Sequence, residues 1–143
     1  MLITPNLPEM EALTELPLST YAEKEKAAKY LLDGGAKAIL LKGGHEEGDI
    51  KTDILFTPSA NGIQSSLFSS ESIPTRNIHG TGCTLSSAIT AYLAKGLSMA
   101  EAIAAAKNYI SEAIRAGADI ETGQGFGPVN HGFNPLKMQV NEI

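Results

Sequence analysis

Gly80-Thr81-Gly82-Cys83 is the stretch whose residue types most directly suggest chemistry. Small residues lead straight into a segment with helical periodicity. The first amides of a helix have no internal partner and lie at the positive end of its dipole. Glycines ahead of them let an anion approach the backbone closely. Gly80, Thr81 and Gly82 therefore suit an anion hole for a phosphate or a transferring phosphoryl group. Cys83 falls at the helix start, where a thiol tends toward the thiolate and can act as base toward a substrate hydroxyl. The same four residues also read as an ordinary Gly-rich turn with Cys83 as a small buried side chain, because a short Gly-rich match is a weak signal alone.

Lys42-Gly43-Gly44 follows an apolar run at residues 38–41. Ligands of open parallel sheets bind at the carboxyl ends of strands, where a lysine can meet ATP phosphates as a point charge. An ordinary surface lysine in a Gly-rich turn is the other reading. Asn6 and Glu9 have the spacing of a capping box. Glu9 can also orient a Mg²⁺-bound water at a phosphate site, and the two roles are compatible if the cap lies at the cleft. The histidines are His45, His79 and His131, and no two are spaced i, i+4 as on a metal-binding helix. His79 flanks the anion hole and can donate to a phosphate; it also reads as a plain loop residue.

Positioning these groups requires alternating elements. A short strand is expected at Leu2-Ile3-Thr4 and a short helix over residues 9–13. Thr20 and Glu23 form a second capping box, whose helix should run to about Asp33 and stop at Gly34-Gly35. Residues 38–41 read as a buried parallel strand, 52–57 as another strand, and 63–69 as a weaker one with many serines. A helix with Leu85, Ala88, Ile89, Tyr92 and Leu93 on one face should end at Gly96. Ser98 and Glu101 open a core helix that Gly117 stops. The tail from residue 121 is rich in Gly and Asn, with no clear period. This order suggests an α/β fold with a largely parallel sheet, thin for its helices.

The chain has 143 residues, enough for about one domain. Its net charge of −5 argues against nucleic-acid binding, which depends on Lys and Arg neutralising phosphates. No apolar run reaches ~18 residues, so no membrane span is expected. A single cysteine allows no intrachain disulfide, and no charged or apolar leader is visible; together these point to the cytoplasm.

Several stretches, taken in order, resemble one family. They are Ile3-Thr4-Pro5-Asn6-Leu7-Pro8-Glu9, Leu41-Lys42-Gly43-Gly44-His45 and Asp53-Ile54-Leu55, then the run from Thr75-Arg76-Asn77-Ile78-His79 through Gly80-Thr81-Gly82-Cys83 to Ala88-Ile89. Ala91-Tyr92-Leu93-Ala94-Lys95-Gly96 and Gly125-Phe126-Gly127-Pro128-Val129-Asn130-His131 follow. The chain resembles the C-terminal half of the hydroxymethylpyrimidine/hydroxymethylpyrimidine-phosphate kinases of thiamine biosynthesis, in the ribokinase-like superfamily. Cysteine at position 83, where most relatives in the superfamily have Asp, points to these kinases and to a related pyridoxal kinase group.

The resemblance implies the C-terminal part of a ribokinase-like sandwich, with a mostly parallel sheet flanked by helices. Residues 1–143 would be its nucleotide-binding half. It implies transfer of the ATP γ-phosphoryl group to hydroxymethylpyrimidine or its phosphate, with Mg²⁺. Cys83 would be the base or would align the substrate hydroxymethyl group, and Gly80, Thr81 and Gly82 would form the anion hole. Lys42 would contact ATP phosphates, Asn6 and Glu9 would act at the Mg²⁺-phosphate site, and Gly127 to His131 would belong to a loop near the nucleotide. Gln124 and Phe126 stand where the family usually has histidines. Members are roughly twice this length, and their other half supplies most of the pyrimidine pocket. A homo-oligomer, or a separate chain supplying that half, is therefore expected. The alternatives are a pyridoxal or pyridoxine kinase, or a non-catalytic nucleotide-binding or interaction remnant.

Overall fold

The structure, a computed structural model, describes residues 1–44 and 48–135. The chain divides into two units, Met1–Ser72 and Ile73–Ile143. The first runs β1 (Leu2–Ile3), α1 (Leu7–Thr14), α2 (Tyr21–Asp33), β2 (Ala38–Leu41), β3 (Ile50–Ser59) and β4 (Gly62–Glu71).

Both helices of this unit begin at reciprocal caps. Asn6 Oδ1 accepts from the Glu9 amide at 2.8 Å, and Glu9 Oε2 accepts from the Asn6 amide at 2.7 Å. Thr20 and Glu23 repeat the arrangement at α2. Each box satisfies two amides that a helix start would otherwise leave without partners. These bonds hold the Glu23 carboxyl below its ordinary value, the Thr20 amide contributing most. The α2 helix ends at Gly34, and Gly35 takes a φ of 107° that favours glycine.

The sheet order is β1-β2-β3-β4. The α/β reading stands, but the pairing departs from a mostly parallel sheet. Only β1 and β2 are parallel; β2–β3 and β3–β4 are antiparallel. The cause is connection length. A parallel return needs a crossover of a dozen or more residues. Leu41 and Ile50 are too close in sequence for that, and a tight turn at Ala60-Asn61 joins β3 to β4 in register Ser59↔Gly62. The continuous apolar run reads as a buried strand, and all four residues of β2 are buried; burial does not fix the sense of pairing.

One sheet face packs on the helices. Met10, Ala27 and Ala28 meet Ile39, Leu41, Ile54 and Phe56 in a single cluster. Alanines at the contact let α2 approach the sheet closely. β4 pairs with β3 along its whole length despite its serines, and two of these have side-chain partners. Ser69 Oγ lies 2.9 Å from Thr52 Oγ1, and Ser65 Oγ lies 2.6 Å from the Tyr21 hydroxyl.

The second unit contains α3 (Thr81–Ala94) and α4 (Met99–Gly117). The α4 helix buries Ala102, Ile103, Ala106, Ile110 and Ala113, the core stripe expected from its period. Ser98 and Glu101 cap its start, and the bond from the Ser98 hydroxyl does most to lower the Glu101 carboxyl. Its C-terminal carbonyls converge on Asn77. That side chain donates to the Gly117 oxygen at 2.6 Å and the Ile120 oxygen at 2.7 Å. No helix among the described residues is long and apolar enough to cross a membrane.

Candidate functional site

In the first unit, β2 delivers Lys42 to the start of α1. The Lys42 amide donates to the Pro5 oxygen at 2.8 Å, and Lys42 bridges Asn6 in a parallel sense. Its Nζ lies 3.7 Å from Glu9 Oε2, the oxygen already holding the Asn6 amide. Asn6 and Glu9, three residues apart, thus form one cluster with the sequence-distant Lys42. Lys42 is well covered, with its side chain 19% exposed, whereas Glu9 is 56% exposed. Among the described residues Glu9 Oε1 accepts no hydrogen bond. Mg²⁺ keeps several waters and takes one or two carboxylates with substrate phosphates. A single outward carboxylate oxygen beside a lysine fits that role, and among the described residues no three His, Cys, Asp or Glu side chains gather to make a protein cage.

In the second unit, Gly80 adopts φ 86°, ψ 2°, a left-handed conformation that favours glycine, and α3 starts at once. No side chain caps this helix. The Thr81 amide reaches the Ile78 oxygen at 3.3 Å, but the Gly82 and Cys83 amides have no acceptor among the described residues. The Gly80 amide likewise has no acceptor among the described residues, so Gly80 and Gly82 of the expected set keep a free donor and Cys83 adds one. Cys83 is a free thiol and exposed, which sets aside the small buried side chain.

A cavity of about 550 Å³ lies beside this turn, lined by Gly80, Cys83, Thr84, Tyr92, Tyr109 and His131 among others. Thr84 Oγ1 donates to the Gly80 oxygen at 2.8 Å and lies 2.8 Å from His131 Nε2. With the one hydroxyl proton directed at Gly80, His131 is the donor of the second bond. The Tyr109 hydroxyl holds the His131 carbonyl at 3.2 Å. A larger hollow of about 920 Å³, lined by residues 74–77 and 118–125, contains none of the expected site residues. The smaller cavity is the one whose lining includes expected site residues, Gly80, Cys83 and His131.

His79 is exposed, and its amide donates to the Gly127 oxygen at 3.0 Å. Gly127 is buried, and an added Cβ would fall 2.0 Å from Asn77 Oδ1, so it offers backbone only. His45 lies outside the described residues. Sequence reasoning gave no role to Thr84, Asn77 or Asp53. Thr84 had a signal, since a threonine four residues after Gly80 can bond back to its carbonyl. Asn77 had none, because its partners lie 40 or more residues away.

A profile of phosphomethylpyrimidine kinase matches residues 1–130. The chain is 47% identical over 130 residues to the thiamine biosynthesis bifunctional protein ThiED of Geobacter sulfurreducens, covering 91% of this chain and 25% of that protein. It is 44% identical over 132 residues to the hydroxymethylpyrimidine/phosphomethylpyrimidine kinase of Rhizobium meliloti, covering 92% of this chain and 48% of that one. The pyridoxal kinase of Staphylococcus aureus, in complex with AMP-PCP and pyridoxal, superposes with a TM-score of 0.81 at 32% identity, over 93% of this chain and 48% of that one. The architecture is that of the ribokinase-like kinases. The chain belongs to the phosphomethylpyrimidine kinase family. It spans about half the length of the monofunctional relative.

Proposed function

We propose that this chain is the nucleotide-binding half of a kinase that phosphorylates hydroxymethylpyrimidine and its monophosphate with ATP in thiamine biosynthesis. The observation that carries the reading is the start of α3: a left-handed glycine, two amides without acceptors and an exposed thiol. Phosphoryl transfer depends on positioning and charge stabilisation more than on covalent chemistry by the protein. The Gly82 and Cys83 amides hold the charge that develops on the phosphoryl oxygens. Cys83 Sγ takes the proton of the substrate hydroxymethyl group as its oxygen bonds to the γ-phosphorus. The bond to ADP breaks and ADP leaves.

Lys42 meets the ATP phosphates as a point charge, with Asn6 and Glu9 setting its surroundings. Bound Mg²⁺ supplies further neutralisation of phosphate charge, and Glu9 would hold one of its waters. His79, Gly127 and His131 shape the nucleotide loop, Gly127 through its backbone. The rest of the pyrimidine pocket comes from a second copy or from a separate segment equivalent to the other half of the relatives. A reducing cytoplasm suits the unpaired thiol.

Pyridoxal phosphorylation is the second reading, favoured by the likeness to a pyridoxal kinase. Both are tested by assaying ATP-dependent phosphorylation of hydroxymethylpyrimidine, its phosphate and pyridoxal, with this chain alone and with the N-terminal half of a relative added. Turnover of the pyrimidines above pyridoxal supports the proposal. Turnover of pyridoxal alone favours the second reading, and no turnover in either format supports a non-catalytic module.

A further inference from the structure

The β2–β3 ladder runs Ile39↔Phe56, Leu40↔Leu55, Leu41↔Ile54 and ends there. Beyond it Lys42 turns its amide to Pro5, away from β3. The next amide, Gly43, donates to Asp53 Oδ1 at 2.9 Å, a buried bond. Asp53 is 5% exposed. Gly43 lies flat on β3: an added Cβ would fall 2.0 Å from the Thr52 oxygen. A side-chain oxygen thus takes over from the backbone at the rung where β2 leaves its neighbour. An apolar residue at position 53 would orphan a buried amide.

We propose that Asp53 is a positioning residue for the Lys42-Gly43-Gly44 turn: its buried carboxylate holds the Gly43 amide and so fixes the path of the lysine. The proposal rests on the reading that Lys42 meets nucleotide phosphates. Asp53 touches no reacting atom; it acts through Gly43. An asparagine keeps the oxygen that accepts from Gly43, and an alanine does not.

The test is hydrogen exchange at the Gly43 amide together with Mg-ATP affinity by calorimetry, both on the full chain below its melting temperature. In the wild type the Gly43 amide should be as protected as that of Leu40; fast exchange there overturns the proposal without any variant. Asp53→Ala should speed Gly43 exchange and weaken Mg-ATP binding, each by about tenfold, toward the low end of what an orphaned buried donor costs. Asp53→Asn should keep both near wild type. Asp53→Ala that lowers the melting temperature yet leaves the affinity of the folded chain unchanged shows a purely structural residue and overturns the proposal. Asp53→Asn behaving like alanine overturns it too. A folded wild type that binds no Mg-ATP overturns the kinase reading instead, and the exchange measurements still decide whether Asp53 holds the turn.

Discussion

In the turn after β2, the amides of Lys42 and Gly43 both have protein acceptors, Pro5 and Asp53. In the first turn of α3, the amides of Gly82 and Cys83 have none among the described residues. The turn after β2 is a satisfied scaffold that presents a side-chain charge. The helix start keeps its backbone donors in reserve for water or a ligand. The two glycines differ in the same way. Gly43 is required by space, with the Thr52 carbonyl against it, whereas Gly80 has open space around it and is required by its φ of 86°.

The largest expected effect is at the open turn. Cys83→Ser keeps nearly the same volume but provides a much weaker base. In the complete kinase assembly the rate should fall by about 10²–10⁴-fold, the usual worth of a general base. Steady-state rates with and without the substitution check this, and an unchanged rate removes Cys83 from the proton transfer while leaving the amides as anion donors.

Next is the contrast between the glycines. Gly43→Ala forces backbone to move and should destabilise the fold by about 1–3 kcal/mol, as overpacking does. Gly80→Ala meets no atom within 4 Å and costs only the left-handed conformation, about 1–2 kcal/mol. Denaturant melts rank them, and a Gly80→Ala variant clearly less stable than Gly43→Ala would reverse the comparison. Lys42→Ala should weaken Mg-ATP binding about tenfold, in the range of a charge-assisted bond. It should barely change stability, because its ion pair with the half-exposed Glu9 is worth little.

The smallest effect is the pH dependence of two of the capping boxes, those of α2 and α4. The Glu23 and Glu101 carboxyls are both held below the ordinary 4.5 by bonds at their caps. Each contribution is fully present above pH 4.5 and is lost as pH falls through the lower folded value. Helicity followed by circular dichroism in Glu23→Gln and Glu101→Gln, which keep an acceptor oxygen but do not titrate, should lose the part of the acid transition that lies below that pH.

What the sequence revealed followed the range of the forces involved. Capping boxes at Asn6, Thr20 and Ser98 were legible because both partners sit within three residues. β2 was legible as a continuous apolar run and α4 from its helical period, because burial on both faces leaves the first pattern and burial on one face the second. β4 was faint because Ser65 and Ser69, on the face toward the helices, pair with Tyr21 and Thr52, partners that no local pattern shows. The sense of strand pairing was missed because it depends on connection length rather than on burial. At the site, Gly80-Thr81-Gly82-Cys83 was visible as a run of types, but the spent Thr81 amide was not. Asp53 and Asn77 escaped because their work is to hold backbone groups from distant segments.

In the proposed kinase, the start of α3 receives the transferring phosphoryl group beside Cys83. Because the chain contains a single cysteine, its alkylation reports on that place alone. The direct measurement is the rate at which a small alkylating agent modifies Cys83 at neutral pH, with and without Mg-ATP, in a sample whose nucleotide binding is followed by calorimetry. Modification should be faster than for a free thiol and should slow clearly when Mg-ATP binds. Nucleotide bound with the alkylation rate unchanged would contradict it.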